Sequence, residues 1–512
     1  MREQVTSPYI IGTRGSLLAL TQCNQVKDEL EKLTGEKFEL KIIKTQGDMD
    51  TSKPLWQMEG KDFFTKELDN ELLSGTIDLV VHSYKDLGSD RPGNIHLAAI
   101  TKRQYPHDIL FLRKDVIKDL KNKKELIIGT SSPRRIYNLE KSLSEFIPYS
   151  PVIKTKQLRG NVNTRLKKCA DGEYDGVCLA FAGIERLALN KESINEIKPS
   201  LDLLNYMILP LSTFPSAASQ GALGIEINIK RKDDGKLQSL LQKIHCSQTE
   251  NAVFNERKIF QEFGGGCHLA VGINSQITND NVLVTSAQGT SDGKEISYQQ
   301  SSVAQQASPP QNGSKIFIGV QSNSSDYVFD KLTPKNSITV SDKTDAPKYI
   351  TRVFNDLELD KEALIFCSGT RSMKKLAAQG ILVNGCSDSM GETTLQTFKS
   401  SELLKFMTPE ISEGWKVFSH AEASSSLGEV IPAYEMKIAE VSEEFSKDIG
   451  ETEIFYWTSY RQFKTYLDKF PEIRNKIHCC GLGKTFQQAK DNGHEFIPFS
   501  GMKEFKLWCE GK

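Results

Sequence analysis

The segment Ile10–Leu20, IIGTRGSLLAL, contains the pattern that decides the fold of this chain. Its apolar start predicts a short strand ending at Gly12, and Ser16 is placed to cap a helix that runs toward Leu33. A strand that leads through a tight turn into a helix is the basic unit of α/β proteins. We therefore expect this unit to recur along the chain.

The segment IIGTSSPRR, which begins at Ile127, repeats the arrangement. A predicted strand over Glu125–Gly129 is followed by Ser132 in a position to cap a helix and by Pro133 as its first residue. Further strands are predicted at Phe38–Thr45, Asp78–Ser83 and Asp175–Ala180. This alternation predicts parallel or mixed sheets covered by helices.

The length and composition are those of a multidomain globular protein. At 512 residues the chain exceeds what one hydrophobic core supports, so about two to four domains are expected. No apolar run is long enough to span a membrane, and the net charge of −1 argues against a nucleic-acid partner. Ten cysteines without a CxxC spacing argue against disulfides or a metal site. We expect reduced thiols and a cytoplasmic monomer.

The second half of the chain begins after a stretch without periodicity, SSVAQQASPPQNGS, which predicts an interdomain linker. Two strand–turn–helix segments then resemble each other, ALIFCSGTRSMKKLAAQG at 363–380 and IHCCGLGKTFQQAKDNG at 477–493. Each follows another predicted strand–turn–helix, at 338–354 and 454–470. This weak repeat predicts two similar α/β lobes.

Arginines gather where strands end and helices begin in the first 190 residues. Cations in the first turn of a helix oppose its dipole unless an anion is bound. Two interpretations remain open: surface arginines without a ligand, or a site for a substrate with many carboxylates. The residues concerned are Arg14, Arg134, Arg135, Arg159, Arg165 and Arg186.

Two further positions could carry chemistry. Lys85 and Asp86 follow the apolar strand DLVVHS, where a carboxylate can donate a proton, stabilise a cation or simply cap the next turn. Cys267 lies in GGGCHLAVG, where three glycines leave room for a bulky group beside the thiol. A lone cysteine is, however, more often an inert buried thiol.

Taken together, these segments resemble porphobilinogen deaminase, also called hydroxymethylbilane synthase. The resemblance covers residues 8 to about 300 in the order of the family. It rests on IGTRGSLLAL, GKDFFTKEL, DLVVHSYKDL, IIGTSSPRR, LRGNVNTRL, DGEYDGVCLAFAGIERL, SQGALGIE and GGGCHLAVG.

The resemblance implies two doubly wound lobes like those of periplasmic binding proteins, with a small α+β domain that carries the cofactor cysteine. The implied limits are 1–104 with 218–240, 105–217 and 241–305, followed by a linker over 306–314. His107 stands where the family usually has arginine, which puts an arginine contact in doubt.

The resemblance also implies the role of each residue. Cys267 would hold a dipyrromethane cofactor through a thioether, and Asp86 with Lys85 would act on porphobilinogen as ammonia leaves. The acetates and propionates of the growing chain would bind a cationic site, and no metal is implied. The members of that site would be Arg14, Ser16, Lys61, Ser132, Arg134, Arg135, Arg159, Arg165, Arg186 and Gln220.

Residues 315–512 resemble a divergent uroporphyrinogen-III synthase, a two-lobed α/β enzyme that closes the linear tetrapyrrole. The resemblance rests on YEMKIAE, which begins at Tyr434, on FYWTSYRQF and on the turn before the last repeat helix. It implies a bifunctional enzyme with Tyr434 as the candidate catalytic side chain. Two alternatives stay open: a deaminase with a non-catalytic C-terminal module, and a two-lobed anion-binding protein.

Overall fold

A computed structural model describes residues 7–45, 65–88, 90–233, 235–266, 269–311, 313–354, 357–360 and 362–511. The chain divides into two compact units. One comprises 1–144, 151–275 and 287–296, and the other comprises 145–150, 276–286 and 297–512. Among the described helices, none combines the length and the apolar character that a membrane span requires.

The first unit contains two five-stranded mixed sheets. Their strands are β1 Tyr9–Thr13, β2 Phe38–Ile42, β3 Leu79–Ser83, β4 Ile95–Ile100, β5 Asp108–Arg113, β6 Glu125–Gly129, β7 Val152–Lys156, β8 Gly176–Ala180, β9 Leu204–Ile208 and β10 Leu223–Asn228. The orders are β2-β1-β3-β10-β4 and β7-β6-β8-β5-β9. Strands β10 and β5 run antiparallel to both of their neighbours. The chain therefore passes from the first sheet to the second after β4 and returns with β10, which makes two α/β lobes.

Helices cover these sheets. Their bounds are Leu17–Thr34, Lys66–Ser74, Lys114–Lys118, Pro133–Ser142, Val162–Ala170, Phe181–Ala188, Lys191–Leu201, Lys236–Leu241 and Ser247–Glu262. The first begins as predicted, because Ser16 Oγ accepts a hydrogen bond from the Ala19 N–H. It ends at Gly35, whose φ of +73° favours glycine. The predicted α/β class is confirmed.

The three strands β11 Ala270–Ile277, β12 Leu283–Ser291 and β13 Lys294–Ser301 form a separate sheet in sequential order. The helix Ser247–Glu262 precedes this sheet in the chain and carries the buried acid Glu256. Glu256 accepts hydrogen bonds from the Ser219 and Ser275 N–H groups, both at 2.6 Å, and pairs with Arg103 at 2.6 Å. Burial raises the pKa of Glu256, and Arg103 with the two N–H groups opposes that rise.

Replacing Glu256 with alanine is expected to lower the free energy of unfolding by about 3–5 kcal/mol, because Arg103 is left as an unpaired buried cation. Urea unfolding of the full chain measures the loss. Glu262→Ala, an exposed acid at the end of the same helix, is the control and should change stability by less than about 0.5 kcal/mol. A loss below about 1 kcal/mol in Glu256→Ala would contradict this role for the ion pair.

The second unit also contains two main sheets, one of five strands and one of six. Its strands are β14 Ile316–Ile318, β15 Val328–Phe329, β16 Lys335–Ser337, β17 Val340–Asp342, β18 Lys348–Ile350, β19 Leu357–Leu359, β20 Ile365–Cys367, β21 Gly385–Cys386, β22 Trp415–His420, β23 Gly428–Met436, β24 Ile454–Trp457, β25 Ile477–Gly481 and β26 Ile497–Phe499. The orders are β15-β14-β24-β25-β26, entirely parallel, and β16-β23-β22-β18-β20-β21, in which only the β16–β23 pair is antiparallel. A short sheet joins β17 to β19. The arrangement is the predicted two-lobed α/β module.

The helices of this unit are Ser302–Gln306, Thr370–Ala378, Glu392–Lys399, Glu402–Met407, Glu443–Glu451, Tyr460–Lys469, Lys484–Asp491 and Met502–Cys509. Both predicted repeat segments form the expected strand and helix. The helix predicted within 338–354 is wrong: this segment forms β17 and β18 instead. Pro347 disfavours helix in the residue before it, and β18 is buried between two parallel neighbours.

The predicted linker is also partly wrong, because its first residues are ordered. Ser301 caps the short helix Ser302–Gln306 by accepting a hydrogen bond from the Ala304 N–H. Ala304 is buried, and Trp508 Nε1 donates a hydrogen bond to the Ala307 carbonyl at 3.1 Å. This stretch, although rich in serine and glutamine, is therefore held against the side chain of Trp508. The predicted domain limits themselves stay a prediction.

Candidate functional site

Asp86 lies just beyond the carboxyl end of β3, in the 3₁₀ turn Tyr84–Asp86. The turn is fixed by Arg257, which donates to the carbonyls of Tyr84 and Leu87 and stacks 4.7 Å from the Tyr84 ring centre. Asp86 itself is exposed, and among the described residues its carboxylate accepts no hydrogen bond. The turn closes through backbone alone, from Leu87 N–H to the Tyr84 carbonyl. Within the described residues Asp86 therefore does not cap this turn, and its chemical role stays a prediction.

Cations surround this carboxylate. Burial lowers the pKa of the half-buried Lys85; Asp86 opposes this shift, and Arg135 adds to it. Burial likewise lowers the pKa of Arg165 to about 10, with Arg135 and Arg159 adding to the shift and Asp86 opposing it. These residues therefore share one electrostatic neighbourhood. The charges of Lys85, Asp86, Arg135, Arg159 and Arg165 therefore act on one another, while their role as a site stays a prediction.

The order of strands in the second sheet explains why Arg135 and Arg159 lie near each other. β6 and β7 are parallel neighbours, so their carboxyl ends share one edge of the second sheet. Ser132 and Arg135 follow β6, and Arg159 follows β7. The carboxyl ends of parallel strands are the usual place for ligand sites in open α/β sheets.

Asp108 was missed by the sequence analysis and organises two of the predicted arginines. This buried carboxylate accepts hydrogen bonds from Arg134 Nη1 and Arg135 Nη2, each at 2.7 Å. Burial alone would raise the pKa of Asp108, but the two guanidinium groups hold it well below its usual range. Arg134 and Arg135 are themselves buried, so they present only part of their positive charge to a ligand. The signal in the sequence was an acid at the start of an apolar strand.

Gln220 and Arg186 are buried and donate hydrogen bonds to other groups of the protein. Gln220 Nε2 donates to Asp108 Oδ1 at 3.0 Å and to the Pro106 carbonyl at 2.8 Å. Arg186 Nη2 donates to the Gly221 carbonyl at 2.7 Å, and burial lowers the pKa of Arg186 to about 10. Both residues thus hold the segment before β10. Their predicted contact with a ligand stays a prediction.

Three predicted site residues lie at helix starts. Ser16 uses its hydroxyl oxygen as a cap, whereas Ser132 occupies the cap position without a capping hydrogen bond from its side chain. Arg14 is half-buried just before Ser16. The Ser132 hydroxyl is therefore not used in capping, whereas that of Ser16 is.

His107 precedes Asp108 and is buried. Burial, together with the nearby cation Arg103, lowers the pKa of His107 to about 3. The imidazole is therefore neutral at neutral pH. His107 therefore supplies no positive charge at the position where the family usually has an arginine.

Two predicted residues, Lys61 and Cys267, lie outside the described residues. The glycines before Cys267 are described: Gly264, Gly265 and Gly266 have φ values of +93°, +61° and +95°. Three consecutive residues in this region of φ favour glycine strongly. The chain beside Cys267 thus offers backbone without side chains, which fits a bulky group attached to the thiol.

A cavity of about 180 Å³ lies in the second unit. Tyr434 contributes its ring, which lies 5.3 Å from the Phe354 ring and 5.9 Å from the His420 ring between centres. The lining residues are Lys335, Thr351, Arg352, His420, Tyr434, Met436, Thr458 and Ser459. In the described parts of both units, no cluster of histidine, cysteine and acidic side chains could hold a metal ion.

Comparison with known proteins gives consistent results for the first unit. Residues 9–238 match the family described as porphobilinogen deaminase, dipyromethane cofactor binding domain. The porphobilinogen deaminase of Syntrophobacter fumaroxidans is 35% identical over 288 residues, which cover 56% of this chain and 85% of that protein. The porphobilinogen deaminase of Shouchella clausii is 38% identical over 293 residues, which cover 56% of this chain and 86% of that protein.

Among solved structures, a periplasmic substrate-binding protein from Coxiella burnetii aligns with 50% of this chain and 97% of its own, at 14% identity and a TM-score of 0.26. PhnD1 from Prochlorococcus marinus aligns with 50% of this chain over 90% of its own length, at 12% identity and a TM-score of 0.27. Scores this low carry no argument about function, which depends on the sequence relatives and the site geometry.

Proposed function

Because the chain belongs to the porphobilinogen deaminase family, we propose that Asp86 and the cations around it condense porphobilinogen into hydroxymethylbilane. The supporting observation is the exposed carboxylate of Asp86 at a strand end, within the field of Lys85, Arg135 and Arg165. Such a site suits a substrate that carries carboxylates and develops positive charge as it reacts. Porphobilinogen given to the full chain should release one ammonia for each unit joined.

Asp86 supplies the negative charge. A porphobilinogen unit loses its amine as ammonia, so positive charge develops on its pyrrole nitrogen while the carbon–nitrogen bond breaks. A carboxylate near that nitrogen stabilises the charge, and in its protonated form it can give the departing amine its proton. Lys85, whose pKa burial lowers, lies beside Asp86 and can exchange that proton.

The arginines supply the positive charge. Each pyrrole unit bears an acetate and a propionate, and guanidinium groups bind carboxylates through paired hydrogen bonds. Arg159 is the clearest candidate, because its Nη2 atom is buried without a hydrogen-bond partner in the described chain. A buried donor of this kind costs stability until an acceptor is bound. Arg165 lies close enough to act with Arg159 on the same substrate.

The dipyrromethane cofactor fits Cys267 and its glycines. When bound, it supplies the terminal pyrrole carbon to which new units are added. We propose that the thioether forms at Cys267, where Gly264–Gly266 remove side chains from the approach. Arg135 and Ser132 are the residues that would hold its acid groups.

For residues 315–512 we propose cyclisation of hydroxymethylbilane to uroporphyrinogen III, with loss of water. Two α/β sheets and a cavity lined by Tyr434 support this proposal. The Tyr434 hydroxyl can donate a hydrogen bond to the leaving hydroxyl of the substrate. The alternative is a module without catalytic activity, in which case hydroxymethylbilane closes spontaneously to the type I isomer.

Isomer analysis separates these two possibilities. We expect the wild-type chain to convert porphobilinogen mainly to the type III isomer, and Tyr434→Phe to lower the rate of type III formation by about tenfold or more because one hydrogen bond to the leaving group is lost. Chromatography of the oxidised products measures the isomers. Tyr327→Phe, a tyrosine of the same unit outside the cavity lining, is the control. Type I product alone from the wild type would refute the synthase.

A further inference from the structure

The cavity of the second unit contains two cations and no acid among its lining residues. Lys335 and Arg352 form no ion pair with any described residue. They lie close enough that the positive charge of Arg352 adds to burial in lowering the pKa of Lys335 to about 8. Placing two like charges side by side costs free energy unless an anion is bound between them.

The strand register aims Lys335 into the cavity. On the antiparallel pair β16–β23, Lys335 is opposite Met436, and Ser337 is opposite Tyr434. Residues two apart on one strand share a face, so Lys335 and Tyr434 are diagonal neighbours on one face of the pair. Both residues line the cavity. A group held by Lys335 would therefore lie within reach of the Tyr434 side chain.

The acids near the cavity are engaged elsewhere. Asp330 is buried and accepts hydrogen bonds from Tyr466 at 2.6 Å, from Gln462 at 2.5 Å and from Thr333. Glu422 pairs with Arg461 at 2.8 Å. Neither acid therefore neutralises Lys335 or Arg352 by direct contact. The negative charge of Asp330 acts on both cations from a distance, and a bound anion would neutralise them by direct contact.

We infer that Lys335 and Arg352 bind the carboxylate side chains of the terminal pyrrole ring that is rearranged during cyclisation. This inference rests on the proposed cyclisation, since that reaction brings a polycarboxylate to Tyr434. The cavity of about 180 Å³ is below the ~300 Å³ where pockets for drug-sized ligands begin, so it suits one ring and not a whole tetrapyrrole. The two cations fix one end of the substrate while the rest lies outside.

Binding to the full chain tests the inference, with uroporphyrin III, the oxidised form of the cyclic product, as the probe. Lys335→Met and Arg352→Met should each weaken its binding by about ten- to a hundredfold in calorimetry, because a charge-assisted hydrogen bond is lost. Lys335→Arg keeps the charge and should retain most of the affinity. Uroporphyrin III should also protect Lys335, but not the exposed Lys343, from acetylation detected by mass spectrometry.

Lys343→Met removes one charge from an exposed position of the same unit and is the matched control. Unchanged affinity in both methionine variants, or no protection of Lys335, would overturn the inference even if type III product forms. If the wild type forms only type I product but these variants lose affinity for uroporphyrin III, the proposed cyclisation is refuted. The binding site formed by Lys335 and Arg352 is then still supported. Because acetylation is read residue by residue, ligand bound at the first unit does not obscure the result.

Discussion

Replacing Asp86 with asparagine is expected to lower the turnover of porphobilinogen by about a thousandfold without changing the fold. Proton transfer and electrostatic stabilisation by one positioned group each contribute about 10²- to 10⁴-fold. The asparagine keeps the size of the side chain but supplies neither a negative charge nor an exchangeable carboxyl proton. Charge developing on the pyrrole nitrogen would then face Lys85, Arg135 and Arg165 without compensation.

The structure explains why this variant should stay folded. The Asp86 side chain is exposed, and within the described residues it accepts no hydrogen bond, so its replacement breaks no hydrogen bond. The turn that carries it is held by Arg257 and by the buried Tyr84. Stability should therefore change by less than about 0.5 kcal/mol, as for other exposed substitutions.

Steady-state rates of ammonia release measure the loss, and thermal unfolding checks the fold. Glu39→Gln is the matched control, because it also removes one exposed negative charge from the first lobe but lies in β2, away from the turn of Asp86. Its turnover should equal that of the wild type. A rate within tenfold of the wild type in Asp86→Asn would remove Asp86 from the chemistry.

Much of the fold could be predicted because its signals are local. The strand at Glu125–Gly129 and the helix beginning after Ser16 occur where the sequence placed them, since a cap and a period of apolar residues act over a few residues. The segment 338–354 was mistaken for strand–turn–helix because burial of β18 between two strands is a tertiary effect. The sheet that β10 joins could not be predicted either, because β10 pairs with β3 and β4, which lie far away in the sequence.

The sequence located the candidate arginines near helix starts, but it could not show which groups of the protein they contact. Arg134 and Arg135 were identified in the first turn of a helix, yet their buried partner Asp108 lies 26 and 27 residues earlier in the chain, at the start of β5. Sequence spacing gives no measure of such a contact. Nor does it show that Arg186 binds a carbonyl of its own chain. Internal partners therefore occupy part of the hydrogen-bonding capacity of Arg134, Arg135 and Arg186.

Replacing Cys267 with serine is expected to abolish turnover of porphobilinogen altogether and to remove a mass of two condensed pyrroles from the intact chain. The thiolate is a far better nucleophile than a serine hydroxyl. Without the attached primer no terminal pyrrole is available for extension, so the loss should exceed that of Asp86→Asn. Intact-mass spectrometry of the purified full chain measures the adduct directly.

Cys246→Ser is the matched control, since this half-buried thiol belongs to the same unit and only accepts a hydrogen bond from Thr249. It should keep both the adduct and the activity. The positive φ values of Gly264–Gly266 give a second, independent variant: Gly265→Ala leaves the thiol in place but strains the backbone beside it. That variant should carry the adduct on only a fraction of chains, with activity falling in the same proportion. If Cys267→Ser kept the full adduct, the anchor would have to be another residue, and Cys267 would be an inert thiol in a glycine-rich loop.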